Sequence, residues 1–179
     1  MDYKTTVEQL HRPGTRCQAA EALVKLGERL ALLDLMDAYE TNYEGSALCL
    51  LDAMEALGGA AAADALFDQV TPPSGQLRRI VYLMELFPDD SHLPRLRLAL
   101  GSADGRVRAQ ARRSLSTQRQ TPAWIALLTG LLNAAEPADR LQAIESLSRR
   151  PEDTVQAALR ERLAVETDAE VRTMLERRR

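Results

Sequence analysis

Asp104-Gly105-Arg106-Val107-Arg108-Ala109-Gln110-Ala111-Arg112-Arg113-Ser114-Leu115 is the stretch from which the fold can be read. It carries an acid, three residues, an arginine, then a small residue and a leucine three and seven positions after that arginine. Glu136-Pro137-Ala138-Asp139-Arg140 repeats the skeleton 32 residues later, with Ala143 and Leu147 in the small and leucine places. After another 32 residues Asp168-Ala169-Glu170-Val171-Arg172 starts it again, followed by Leu175. Upstream the copies weaken. Arg12-Pro13-Gly14-Thr15-Arg16 continues into Ala19, Leu23 and Leu26-Gly27, with Arg12 in place of the acid. Glu44-Gly45-Ser46-Ala47 continues into Leu50, Met54 and Leu57-Gly58, with Ala47 in the arginine's place, and Ser74-Gly75-Gln76 leads only to Leu83 and Leu86. The anchor positions 16, 47, 76, 108, 140 and 172 are spaced by 31, 29, 32, 32 and 32. A fixed period of this length marks stacked supersecondary units, each too small to bury both its faces alone.

Each period holds two amphipathic patterns separated by breakers. The second patterns read as helices over Arg29–Tyr39, Ala60–Gln69, Ser91–Leu100, Thr121–Leu132 and Glu152–Ala164. Ser91 and Thr121 are expected as N-caps, with Pro122 at a first helical position and Pro151 just before a helix. Ser74, Asp104 and Asp168 are expected to cap first helices, and Pro137 sits at an N-terminus. Gly27, Gly58-Gly59 and Gly101 suit left-handed helix ends. Trp124, Leu128 and Leu131 form one stripe and Ile125 and Leu132 another, so that helix is expected to be buried between neighbours. The expected architecture is all-α, one domain over 1–179. Its periods fall at about 12–42, 43–71, 72–102, 103–134 and 135–166, with a partial one at 167–179: five helix pairs plus a C-terminal helix.

Composition agrees. Among 179 residues 45% are hydrophobic and 27% charged but only 4% aromatic; Ala and Leu favour close-packed helices, while strands draw on β-branched and aromatic residues. The net charge of -3 hides a split: residues 1–90 hold 7 Lys/Arg against 15 Asp/Glu, and residues 91–179 hold 16 arginines against 11 acids. No signal-like start and no long apolar run is present, and two cysteines do not make a disulfide framework. Cytoplasmic residence is therefore the expectation.

The skeletons Asp104…Val107-Arg108…Ala111…Leu115, Asp168…Val171-Arg172 and Arg16…Ala19…Leu23…Leu26-Gly27 resemble HEAT repeats, particularly the short bacterial form also known as phycobilisome-lyase-like repeats. The resemblance covers essentially the whole chain and is poorest in the second and third periods. It implies an α-α superhelix, a solenoid whose second helices line the concave face. It implies no activity.

The repeated arginine could be a row of anion sites. The favoured reading is structural: Asp104 with Arg108, Glu136 with Arg140 and Asp168 with Arg172 form a ladder in which each arginine meets the acid of the preceding turn or of the next repeat. Chemistry has little to work with. His11 and His92 lie in no metal-ligand spacing, Cys17 and Cys49 read as inert thiols although repeat geometry could bring them together, and Trp124 reads as core. No catalytic residue, cofactor or metal is expected.

The expected function is a non-catalytic scaffold, an adaptor, regulator or immunity-type inhibitor that binds a protein. Asp34, Asp37, Asp64, Asp68, Arg95 and Arg160 would supply a groove acidic at one end and basic at the other, the acids standing on solvated faces. One rival is nucleic-acid binding of the HEAT-like alkylpurine glycosylase type, centred on Arg106, Arg112, Arg113 and Arg177–Arg179. Another is a bilin-lyase-like helper. Val171, Met174 and Leu175 would form an incompletely covered apolar edge.

Overall fold

In a computed structural model, residues 2–28, 30–41, 47–69 and 75–177 are described. Among them there are twelve α-helices and no strand, and no helix is long and apolar enough to cross a membrane. In sequence order two helices fall in each of the five expected periods: α2 (Arg16–Leu26) and α3 (Ala31–Glu40), α4 (Ala47–Ala56) and α5 (Gly59–Gln69), α6 (Leu77–Leu86) and α7 (Leu93–Leu100), α8 (Gly105–Thr117) and α9 (Pro122–Leu131), and α10 (Pro137–Leu147) and α11 (Asp153–Val165). The C-terminal α12 (Ala169–Arg177) closes the series. An additional helix, α1 (Tyr3–Leu10), precedes the first period. Its signals are Asp2, whose carboxylate accepts from the Lys4 N–H at 2.8 Å, and Leu10, which is fully buried.

The helices gather into two compact units, Met1–Phe87 and Pro88–Arg179, the division falling inside the third period. In the first, α1 lies on α2 and α3, α2 on α4, and α3 on α4 and α6. Leu10, Leu23, Leu32, Leu35, Met36, Leu50, Met54 and Ile80 fill its core. In the second, α7 lies on α8 and α9, α10 on α8 and α9, and α12 on α10 and α11. Ala111 and Leu115 of α8 and Ala143 and Leu147 of α10, at the small and leucine positions of the repeat, are buried there, as are Val107 and Ile144 beside them. Small residues at the +3 place let neighbouring helices approach closely, which is why the skeleton keeps alanine there.

Several local expectations are corrected. Ser91 is not an N-cap: Asp89 accepts from the Ser91 N–H at 3.0 Å, a short 3₁₀ turn covers Asp90–His92, and α7 starts only at Leu93. Thr121 does cap α9, accepting from the Trp124 N–H at 3.3 Å. Gly27, Gly58 and Gly59 take left-handed φ values of 69°, 115° and 46°, whereas Gly101 has φ -81° and ends its helix without one. The α9 helix is not enclosed on all sides. Trp124 and Leu128 are buried, while Ala123, Ala126 and Gly130 are exposed. The expected apolar edge at the C-terminus is largely covered: Val171 and Leu175 are buried under α10 and α11. Arg29, Glu44, Gly45, Ser46, Ser74, Arg178 and Arg179 lie outside the described residues.

Candidate functional site

The repeated arginine has a shared contact that spacing alone did not define. Arg16 donates from Nε to the Leu10 carbonyl at 2.8 Å, and Arg108 donates from Nη1 to the Ser102 carbonyl at 2.8 Å. Arg140 donates to the Ala134 carbonyl at 2.8 Å, and Arg172 to the Glu166 carbonyl at 3.4 Å. In all four the acceptor lies six residues before the arginine, at or just past the end of the preceding helix. Carbonyls at a helix C-terminus lack intrahelical partners and carry the negative end of the dipole, so a guanidinium satisfies both deficits.

The acid of the skeleton does something else, which corrects the expected ladder. Asp104 accepts from the Arg106 N–H at 2.8 Å, and Asp168 accepts from the Glu170 and Val171 N–H groups at 3.0 Å each, so both cap the helix that carries the arginine. Glu136 precedes α10 without a side-chain cap bond. None of the three is the arginine's ion-pair partner. An N-cap side chain folds back onto its own first turn, while the arginine reaches back to the preceding helix end.

The strongest polar cluster centres on an unexpected residue, Glu166, 2% exposed. Arg140 grips it through Nε at 2.9 Å and Nη2 at 3.0 Å, and Arg162 adds Nε at 2.8 Å. The Thr167 and Asp168 N–H groups donate to it at 2.9 and 2.8 Å. Burial works to raise the Glu166 pKa, but the bonds from Arg162, Arg140 and the Asp168 backbone, with the Arg140 charge, overcome it and hold the pKa at about 2. A carboxylate with this many donors stays ionised when desolvated. One helix away Arg112 reaches from α8 to Asp139 of α10 at 2.7 Å. Arg112–Asp139 joins one period to the next, while Arg140 and Arg162 both hold Glu166 within the fifth. The sequence hints were Glu166 lying two residues before the Asp168 cap and four after Arg162.

The six proposed contact residues fall in separate units: Asp34, Asp37, Asp64 and Asp68 in the first, Arg95 and Arg160 in the second. The expectation that the acids stand on solvated faces is corrected. Asp34 accepts from the Tyr3 hydroxyl and Asp37 pairs with Arg79, both partly buried, and Asp64 is buried on α5. Burial, then the bond to Asp34, pushes the Tyr3 hydroxyl pKa well up. Asp68 is exposed but engaged. Arg95 donates to the Ser91 carbonyl at 2.9 Å, whereas Arg160 is exposed on α11.

The arginines proposed for phosphate are partly committed too: Arg112 to Asp139, and Arg113 to the Gln110 side chain. Arg106 and Arg177 are exposed. Trp124 is 1% exposed and donates from its indole N–H to the Leu115 carbonyl at 2.8 Å, so it packs and presents no face to a base. Among the described residues no group of three or more His, Cys, Asp or Glu side chains could hold a metal ion.

Two features were not foreseen. Cys17 of α2 and Cys49 of α4 are bonded to one another, their Cα atoms 5.5 Å apart, which corrects the reading as inert thiols. The second is an open groove of about 610 Å³ between α7 and α9, lined by Leu93, Pro94, Arg97, Leu98, Ala123, Ala126 and Leu127 with Asp90 at its edge. Leu98 is 69% exposed there. It falls off the buried stripe of Leu93, Leu96 and Leu100, a signal present in the sequence but hidden by the run of leucines.

Residues 93–177 match the family model for HEAT repeats. No curated protein matches the chain.

Proposed function

We propose that this chain, whose residues 93–177 are HEAT repeats, is a non-catalytic module that binds another protein, as an adaptor, regulator or inhibitor. One observation carries the reading: within the repeats, two adjacent second helices leave an apolar groove open instead of closing on each other. Leu98 stands exposed in it, with Ala123 and Ala126 giving the opposite wall little bulk. A large exposed aliphatic over a wall of small side chains is a shape that an apolar side chain of a partner can complete. Covering one leucine contributes about 1.5–3 kcal/mol. Arg97, exposed on the last turn of α7 beside the groove, favours a partner with an acid next to its apolar contact.

The polar clusters support binding over catalysis. Arg140 and Arg162 are engaged with Glu166 and Arg112 with Asp139, and the groove lining offers no nucleophile with an adjacent base. The proposal includes a cytoplasmic setting, where the Cys17–Cys49 bond would be exceptional.

The test is affinity capture from native lysate with the wild-type chain and Leu98→Asp in parallel. Leu98→Asp is expected to lose the captured protein while its thermal unfolding midpoint stays within about 2–4 °C of wild type, since an exposed position contributes little to stability. Equal capture by both would remove the groove from the proposal. Recovery of nucleic acid in place of protein, released by raised salt, would replace the proposal with the phosphate-binding reading.

A further inference from the structure

We infer that the Cys17–Cys49 bond is a reversible redox modification site, a clamp whose reduction releases α4 from α2. The two cysteines are the only ones in the chain. They lie on first helices of consecutive periods, one place after anchor 16 and two places after anchor 47, so stacking of the repeats itself brings them together. The 5.5 Å between their Cα atoms needs no distortion of either helix.

Three further observations separate this bond from a sealed structural cross-link. Neither cysteine is buried. Cys49, itself only partly buried, lines an open groove of about 360 Å³ whose apolar wall is Val24, Ala53 and Ala56, and this groove is the approach for an attacking thiolate in the exchange we infer. The anchor of this period is alanine. Arg16, Arg108, Arg140 and Arg172 each tie their helix to the carbonyl six residues back, and Ala47 has no group that could do so. The cross-link thus holds α4 to α2 in a period whose first helix carries no arginine to reach back to the preceding helix end.

The chemistry is thiol–disulfide exchange with a dithiol reductant. One thiolate of the reductant attacks Cys49 Sγ, the S–S bond breaks, and Cys17 leaves as a thiolate that takes a proton. The reductant's second thiolate then attacks its own sulfur in the mixed disulfide, and Cys49 leaves and is protonated. Two electrons and two protons pass to the protein, and the reductant becomes a disulfide. A low-molecular-weight disulfide reverses the sequence.

The experiment uses the full chain under native conditions, treated with dithiothreitol and then with oxidised glutathione, with maleimide labelling and amide hydrogen exchange after each step. Reduction is expected to expose two labelled thiols and to speed exchange across residues 47–56 by about tenfold, while residues 105–117 keep their protection. Reoxidation restores both. The variant Cys17→Ser/Cys49→Ser should show the reduced pattern without reductant. Labelling only after denaturation, or identical exchange at 47–56 in the two states, overturns the inference. Loss of protection at 105–117 on reduction also overturns it, because the bond would then be a requirement for folding and no local clamp. The α7–α9 groove takes no part in these readouts, so failure here leaves the binding proposal standing.

Discussion

The two units build the same helix pairs with different fastenings. In residues 88–179 the anchor is arginine at every period, 16 cations meet 13 acids, Arg112–Asp139 joins one period to the next, and Arg140–Glu166 ties the start of the fifth period to its end. In residues 1–87 only Arg16 keeps the anchor, 7 cations meet 13 acids, and the first helices are joined by the disulfide. Arg78 with Glu40 and Arg79 with Asp37 add ion pairs between α6 and α3, on side chains about a third exposed, where screening leaves each worth at most about 1 kcal/mol. The difference teaches that a repeat's consensus polar residues fasten junctions. Where the arginine is lost at position 47, the apolar skeleton still makes the helix, and a cross-link of another kind holds it to the first helix of the preceding period.

The sharpest way to break the comparison is Glu166→Gln. It removes one charge from a buried cluster and leaves Arg140 desolvated without its partner, which should cost about 3–5 kcal/mol. Denaturant unfolding followed by hydrogen exchange should show the loss in the second unit, with residues 16–26 unaffected. A uniform loss across both units would mean that the fastening is not local.

Acid and alkali should separate the units as well. The Glu166 pKa is lowered in the folded state to about 2, so its stabilisation is complete above the unfolded value of about 4.5 and is lost as pH falls from there toward 2. The Tyr3 pKa is raised, so its contribution is complete below about 10 and is lost as pH rises beyond that. Acid should thus loosen the second unit and alkali the N-terminal helix of the first. Residue-resolved amide exchange at the two extremes checks the order, and the reverse assignment would sink it.

The smallest effect belongs to the capping acids. Asp104→Ala removes one N-cap and should cost about 1 kcal/mol, visible as faster exchange in the first turn of α8. Arg108 should keep its carbonyl contact in this variant, since Asp104 is not its partner. Displacement of Arg108 would restore the acid–arginine ladder.

Much of the fold was legible because it is written in local chemistry. Leucine and alanine at helical spacing, proline at the starts of α9 and α10, and Thr121 as a cap are read within one or two turns. The helix α1 was missed because it lies outside the period, and Ser91 was misplaced because Asp89 takes the cap two residues earlier. The sites were much less legible. Leu98 could be seen to leave the stripe, but which leucines neighbours leave uncovered depends on packing between helices far apart in sequence. The acids Asp34, Asp37 and Asp64 looked solvated because nothing local reveals Tyr3 or Arg79, which approach from other helices.

By itself the sequence determined an all-helical chain of repeats with a period near 32 residues, since helix periodicity, caps and a recurrent skeleton are short-range properties. Tertiary structure alone decided where the arginines point, that Glu166 gathers two of them, that Cys17 meets Cys49, and that α7 and α9 leave a groove between them. Apart from the i,i+4 contact of Arg162 with Glu166, each of these depends on how one helix settles against another, which the spacing of residues along a single helix cannot encode.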